Sequence, residues 1–184
     1  GILVDRSAQP VIAGNVLTGN ETGIRLYRRS DATIEGNFFG ENETALSVAF
    51  SSYPRILHND IEGNKTALFL EFQSSDWERA KGEAARQDET ARLGSFSQSS
   101  RGDTVEGARP ALLLDSTVDA RNNWWGRDGT AELLRIGESG NPSFIHDGRD
   151  APTFEEEGKE WPLDTVRFSP WGNVPLTGLT KETL

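Results

Sequence analysis

The chain has no cysteine and no methionine among its 184 residues. Without cysteine there is no disulfide frame and no thiolate chemistry. Without methionine Gly1 is not a translation start, so the expected form is a processed chain or a fragment. Positive charge is short as well. Nineteen Lys and Arg face 29 Asp and Glu, for a net charge of -10. Such a balance argues against nucleic acid or an anionic membrane surface as partner. No run of apolar residues is long enough to span a membrane, and no signal-peptide pattern is present. Nothing matches a P-loop, a dinucleotide fingerprint or a Ser-His-Asp spacing.

What is present is a repeat of 22 residues. GILVDRSAQPVIAGNVLTGNET runs from Gly1, GIRLYRRSDATIEGNFFGENET from Gly23, and ALSVAFSSYPRILHNDIEGNKT from Ala45. Apolar pairs recur at Ile2/Val4, Ile24/Leu26 and Leu46/Val48, then at Ile12, Ile34 and Ile56. Asn15, Asn37 and Asn59 follow, and each unit closes on Asn-x-Thr at Asn20, Asn42 and Asn64. A fourth unit opens at Ala67 and a fifth at Ala111. A fixed period in the twenties means stacked units, because one short unit cannot bury its own apolar face. Apolar residues alternate in period two between Gly, Asn and Ser, which is strand patterning. The composition is too rich in Gly and Asn for a leucine-rich repeat. The expected fold is all-β: a right-handed parallel β-helix of about five 22-residue coils, with a helical insertion and a C-terminal wrap-around cap.

Equivalent residues of stacked coils form columns about 4.8 Å apart. The Asn columns are expected to hydrogen-bond along the solenoid. The three Asn-x-Thr sites are also glycosylation sequons, but their 22-residue spacing is explained by the repeat itself. Alternation points Ile2 and Val4 inward and Asp5 outward. The same register sends Arg25 and Tyr27, Ser47 and Ala49, and Phe69 and Glu71 outward.

From Gln73 to about Gly102 the repeat breaks. Asp76 is an N-cap candidate, Gly94 a stop, and the residues between them favour a helix of about 15 residues. The insertion is placed at about 74–102, with Thr104–Gly107 echoing Thr33–Gly36 where the chain rejoins the coils. In the fifth coil Val118 and Ala120 take the places of Pro54 and Ile56, and Asn123 that of Asn59. Trp125 then points inward as a plug for the core, or serves as a sugar-stacking platform, while Trp124 lies outside. This divides the chain into coils over 1–126 and an extension over 127–184, with a last strand near 165–169 and a tail.

Three stretches carry a family likeness: VDARNNWWG from Val118, IHDGRDAP from Ile145 and VRFSPW from Val166. Together with the preceding coils they resemble the C-terminal end of bacterial right-handed parallel β-helix repeat proteins. That group contains NosD-like periplasmic proteins and carbohydrate-active β-helices. The resemblance implies a periplasmic or extracellular location. It also implies a binding, scaffold or polysaccharide-processing role, and a final segment that wraps back to add a strand over Thr165–Phe168. The group usually has an N-terminal cap and further coils, which this stretch of sequence is expected to lack. An exposed first coil would need cover, so the expectation is either a fragment of a longer chain or another subunit stacked on the N-terminal end. With no Cys, no Met and only His58 and His146, the chain is poorly equipped for copper or zinc.

Two sets of outward residues are candidates for function. Asp5, Tyr27, Ala49, Glu71 and Asp115 share one column. If the insertion loops out cleanly, Glu71 and Asp115 stand about 5 Å apart. Such a pair suits the two acids of a retaining glycosidase, or Ca²⁺. Around it lie Arg25, Tyr27, Arg28, Phe50, Phe69 and Phe72, a strip suited to stacking on sugar rings or on a protein partner. Packing of the insertion helix over the phenylalanines is the competing reading. Asp147 and Asp150 flank a Gly turn and are weak Ca²⁺ candidates; no other cofactor is indicated. The leading expectation is a non-catalytic binding or scaffold module for an extended ligand, either a polysaccharide or a partner protein. The alternatives are a polysaccharide lyase or glycoside hydrolase using Glu71 and Asp115, and a structural subunit of an envelope complex.

Overall fold

Each repeat folds into three short strands separated by sharp corners. The first gives β1 (Ile2–Val4), β2 (Val11–Ala13) and β3 (Val16–Thr18). The second gives β4 (Thr22–Leu26), β5 (Thr33–Glu35) and β6 (Phe38–Gly40), and the third β7 (Thr44–Ala49), β8 (Arg55–Leu57) and β9 (Asp60–Glu62). A fourth begins with β10 (Thr66–Glu71). The computed structural model describes residues 1–6, 8–82, 84–85 and 114–179. Like strands of successive repeats pair in parallel, with Ile2 beside Ile24, Ile24 beside Leu46 and Leu46 beside Leu68. The result is a parallel β-solenoid of about three turns at 22-residue spacing, mostly strand, with two short helices.

The inward columns make the core. Ile12, Ile34 and Ile56 stack in one, Leu17, Phe39 and Ile61 in another, and all are buried. Burying each such side chain stabilises the fold by about 1.5–3 kcal/mol. The corners require left-handed backbone. Gly14, Gly36, His58 and Asn122 all have positive φ, each just before a ladder asparagine. There the side-chain amide does the turn's hydrogen bonding. Asn37 Nδ2 donates to Ile12 O at 2.8 Å, Glu35 O at 3.0 Å and Asn59 Oδ1 at 3.0 Å. Asn20, Asn42 and Asn64 build a second ladder, so the three sequon amides are structural.

Beyond the third repeat the spacing becomes irregular while the sheets continue. After β10, Ser74 caps α1 (Ser75–Trp77), accepting from the Trp77 N–H at 3.3 Å, and a π-helical turn over Glu78–Gly82 follows. The cap is therefore Ser74 rather than Asp76, whose carboxylate pairs with Arg79. Gly94, Thr104–Gly107 and the start of the expected fifth coil, Ala111–Leu113, lie outside the described residues. β11 (Thr117–Asp119) pairs with β8, Asp119 beside Arg55, which places Val118 and Ala120 opposite Pro54 and Ile56. α2 (Gly126–Ile136) comes next and stops at Gly137, φ 73°. β12 (Ile145–His146) then pairs with β10, β13 (Thr153–Glu156) and β14 (Lys159–Pro162) form an antiparallel hairpin, and β15 (Thr165–Arg167) pairs with β11.

Two expectations are corrected by this topology. The first is the count of five 22-residue coils: regular spacing covers about three turns, after which one column partner, Asn59 to Asn123, lies 64 residues along. The second concerns the tryptophans. Trp125 is in the core at 3% exposed, but Trp124 is also buried, at 8%. Its backbone bridges Asp60 on one side and Gly172 on the other, so it lies between two turns. The core also runs on past Trp125 to Val166 and Phe168, both buried. Among the described residues no helix is long and apolar enough to cross a membrane.

Candidate ligand-binding face

The outer surface of the first sheet collects most of the residues singled out from the sequence. Its order is β1-β4-β7-β10-β12. Strand pairing puts Leu3, Arg25, Ser47, Phe69 and His146 in one outward column. The Phe69 and His146 rings stack at 4.8 Å with 10° between planes. One step along the strands, Tyr27, Ala49 and Glu71 form the next column. At the corner beyond lie Arg6, Arg28, Phe50 and Phe72, all with positive φ.

An aromatic file runs along the solenoid at this corner. Tyr27 meets Phe50 edge-on at 4.7 Å, Phe50 meets Phe72 at 5.0 Å, and Phe72 meets Phe154 of the hairpin at 5.5 Å. Phe72 remains 40% exposed and Leu3 66%. The described part of the insertion turns instead toward the hairpin, where Trp77 donates to Glu156 and Lys81 pairs with Glu157 at 2.6 Å.

Charge on the face is paired. The Arg25 and Arg28 guanidiniums lie 5.4 and 5.1 Å from the Tyr27 ring. Arg28 Nε donates to Asp5 Oδ1 at 2.8 Å, and this bond holds the Asp5 carboxyl below its usual range. Arg25 Nη2 reaches Glu71 Oε2 at 3.6 Å.

With this geometry in place, the comparisons bear on the same stretch of chain. Residues 1–79 match the family model described as "Periplasmic copper-binding protein (NosD)". The matched stretch coincides with the regular coils and is similar to that family over less than half of the chain. No curated protein and no solved structure matches the chain. The NosD family is periplasmic by its description, in agreement with the compartment that the terminal motifs implied.

Copper belongs to that family description, and the donors of this chain do not suit it. The chain has no Cys or Met, and no group of three His, Cys, Asp or Glu converges among the described residues. His146 is stacked on Phe69, and His58 occupies a left-handed corner elsewhere.

The carboxylate pair expected of an enzyme is not formed. The ladder position outside β10 is taken by Ile145 and His146, beside Leu68 and Phe69. Asp115 sits instead before β11, accepting from Thr117 Oγ1 at 2.7 Å and Arg167 Nη2 at 2.6 Å. Burial pushes its pKa up, but these two partners outweigh that and hold it low. Glu71 pairs with Arg25, so neither acid faces the other.

The calcium candidates are also committed. Asp147 is fully buried and accepts from the Val166 N–H at 2.7 Å, the Arg149 N–H at 2.8 Å and the Arg149 guanidinium. Asp150 accepts from Asn141 Nδ2 at 2.8 Å and the Asp147 N–H at 3.1 Å. These oxygens fix a turn that locks β15 in place.

The buried acids Asp164 and Asp60 escaped the sequence reading, as did Glu78, which pairs with Arg29. Asp164 accepts from Tyr53 Oη at 2.8 Å, Ser75 Oγ at 2.9 Å and the Ser75 N–H at 3.0 Å, tying the third repeat to the root of the insertion. Burial raises its pKa above the usual value despite these bonds. Asp60 accepts from the Leu176 N–H at 2.8 Å, the Thr177 N–H at 3.0 Å and Thr177 Oγ1 at 2.7 Å, and so pins the tail to β9. Their partners lie 111 and 116 residues away, outside any local pattern.

Proposed function

We propose that this chain is a non-catalytic binding module of the periplasm, its coils wound right-handed, which receives an extended ligand along the outer face of the first sheet. The observation that carries this reading is the aromatic file of Tyr27, Phe50 and Phe72, running parallel to the stacked pair Phe69–His146. Partly exposed rings spaced along a sheet, with Phe72 the most open, suit repeated stacking against an elongated partner. The sheet supplies rigidity at no further cost in ordering. A polysaccharide or an extended segment of a partner protein meets that description. A cleavage reaction has no support from the placement of Glu71 and Asp115.

The test is binding to immobilised neutral and acidic polysaccharides and to purified periplasmic proteins. Tyr27→Ala and Phe69→Ala are each expected to weaken the retained ligand at least tenfold. Leu134→Ala, which alters an exposed apolar residue on α2, leaves binding unchanged. Equal binding by wild type and both face variants would overturn the reading.

A further inference from the structure

The third repeat is where this face carries small side chains. Ser47 and Ala49 stand between Arg25 and Tyr27 on one flank and Phe69 and Glu71 on the other. Leu46 and Val48 alternate with them into the core, so the two small residues floor a saddle on the outside. Its diagonal corners, Arg25 and Glu71, reach across it to meet at 3.6 Å. Beneath that ion pair Ala49 is fully buried and Ser47 is 6% exposed. The Ser47 hydroxyl makes no hydrogen bond among the described residues. The residue is largely buried, but its outward hydroxyl is not among the sealed, unpartnered polar atoms, so it stays open to a ligand.

We propose that this saddle is a subsite for one ring of a neutral polysaccharide. This deepens the reading of the face as a binding surface and rests on it. A pyranose offers apolar C–H faces for the flanking aromatic rings and hydroxyls for Ser47 Oγ. Arg25 and Glu71 part to admit the ring and then donate to and accept from its hydroxyls. Their side chains are 48% and 37% exposed, and a pair so exposed opens readily. Charge selects the neutral class. Arg25 is matched by Glu71 and Arg28 by Asp5, in a chain of net charge -10, so a polyanion is disfavoured at long range.

Calorimetric titration of the full chain with cellohexaose, mannohexaose, maltohexaose and hexagalacturonate tests the proposal. At least one neutral hexasaccharide is expected to bind more tightly than hexagalacturonate. Ser47→Trp, which fills the saddle, reduces that affinity at least tenfold, and Ser47→Ala reduces it by about fivefold, the loss of one hydrogen bond. Circular dichroism verifies that each variant is folded; if Ser47→Trp is not, Ser47→Ala decides. Binding that is weakened by Phe69→Ala but untouched at Ser47 overturns the subsite and leaves the face intact. Binding indifferent to Phe69→Ala as well overturns both. No neutral binding by wild type, or tighter binding of hexagalacturonate, overturns the choice of ligand.

Discussion

Asn59 and Asn123, 64 residues apart, are hydrogen-bonded as though they were one repeat apart. The Asn59 N–H and Nδ2 both donate to Asn123 Oδ1, at 2.8 and 3.0 Å, copying the bonds from Asn37 to Asn59. The ladder therefore carries the register of the solenoid across the insertion. Replacing Asn59 by Ala strands donors and acceptors on both neighbouring turns in a buried setting. Asn59→Ala is expected to cost about 3 kcal/mol, from several bonds at ~1 kcal/mol each. Asn15→Ala, at the partly exposed end of the ladder, costs about 1 kcal/mol or less. Urea unfolding of both variants checks the ranking; equal losses contradict it.

Asp164 makes stability depend on pH in the unusual direction. Its folded pKa is raised above the ordinary 3.8 by burial. A raised carboxyl contributes stability that is fully present below its unfolded pKa and is lost as pH rises through its folded pKa. Asp5 acts oppositely: its lowered pKa contributes stability above the unfolded value, lost as pH falls through the folded one. Comparing wild type with Asp164→Asn isolates the first effect. The stability difference between the two is expected to move in favour of Asp164→Asn as pH rises above 3.8. Tyr53→Phe removes a bond to the carboxylate and shifts the wild-type transition to higher pH. Parallel stability curves for wild type and Asp164→Asn would contradict this account.

Asp147 is expected to be structural. Asp147→Ala leaves the Val166 N–H and the Arg149 guanidinium without their acceptor, at a cost of about 3 kcal/mol. Millimolar calcium or a chelator leaves the melting temperature of the wild-type chain unchanged. A calcium-dependent rise in melting temperature that disappears in Asp147→Ala would show that these oxygens exchange their donors for a metal.

Much of the solenoid is legible because its signal is local and repeated. The columns through Ile12 and Asn15 recur at a fixed offset, and even after the insertion Ala120 and Asn123 keep their spacing within one corner. The residues of the face follow from the same alternation. What is not legible depends on distant chain. Ile145 and His146 occupy the ladder beside Leu68 and Phe69 with a strand of two residues, too short to show a period. For that reason Glu71 and Asp115 form no pair: β12 fills the ladder position beside β10, and Asp115 lies before β11 against Arg167. Ser47 and Ala49 do alternate outward, yet both are covered, because Arg25 and Glu71 join above them. The helix α2 did leave a trace, AELLRI followed by Gly137, an amphipathic turn with a glycine stop. The burial of Trp124 and Asp60 left none, since Gly172 and Thr177 reach them from the tail.

The most direct test of the central claim is hydroxyl-radical footprinting of the chain with and without the ligand retained in the binding panel. The account predicts protection of Tyr27, Phe69 and Phe72, with Leu134 and Val174, exposed elsewhere, unchanged. Protection centred on Leu134 or Val174, with Tyr27 and Phe69 reacting as in the free chain, would contradict it.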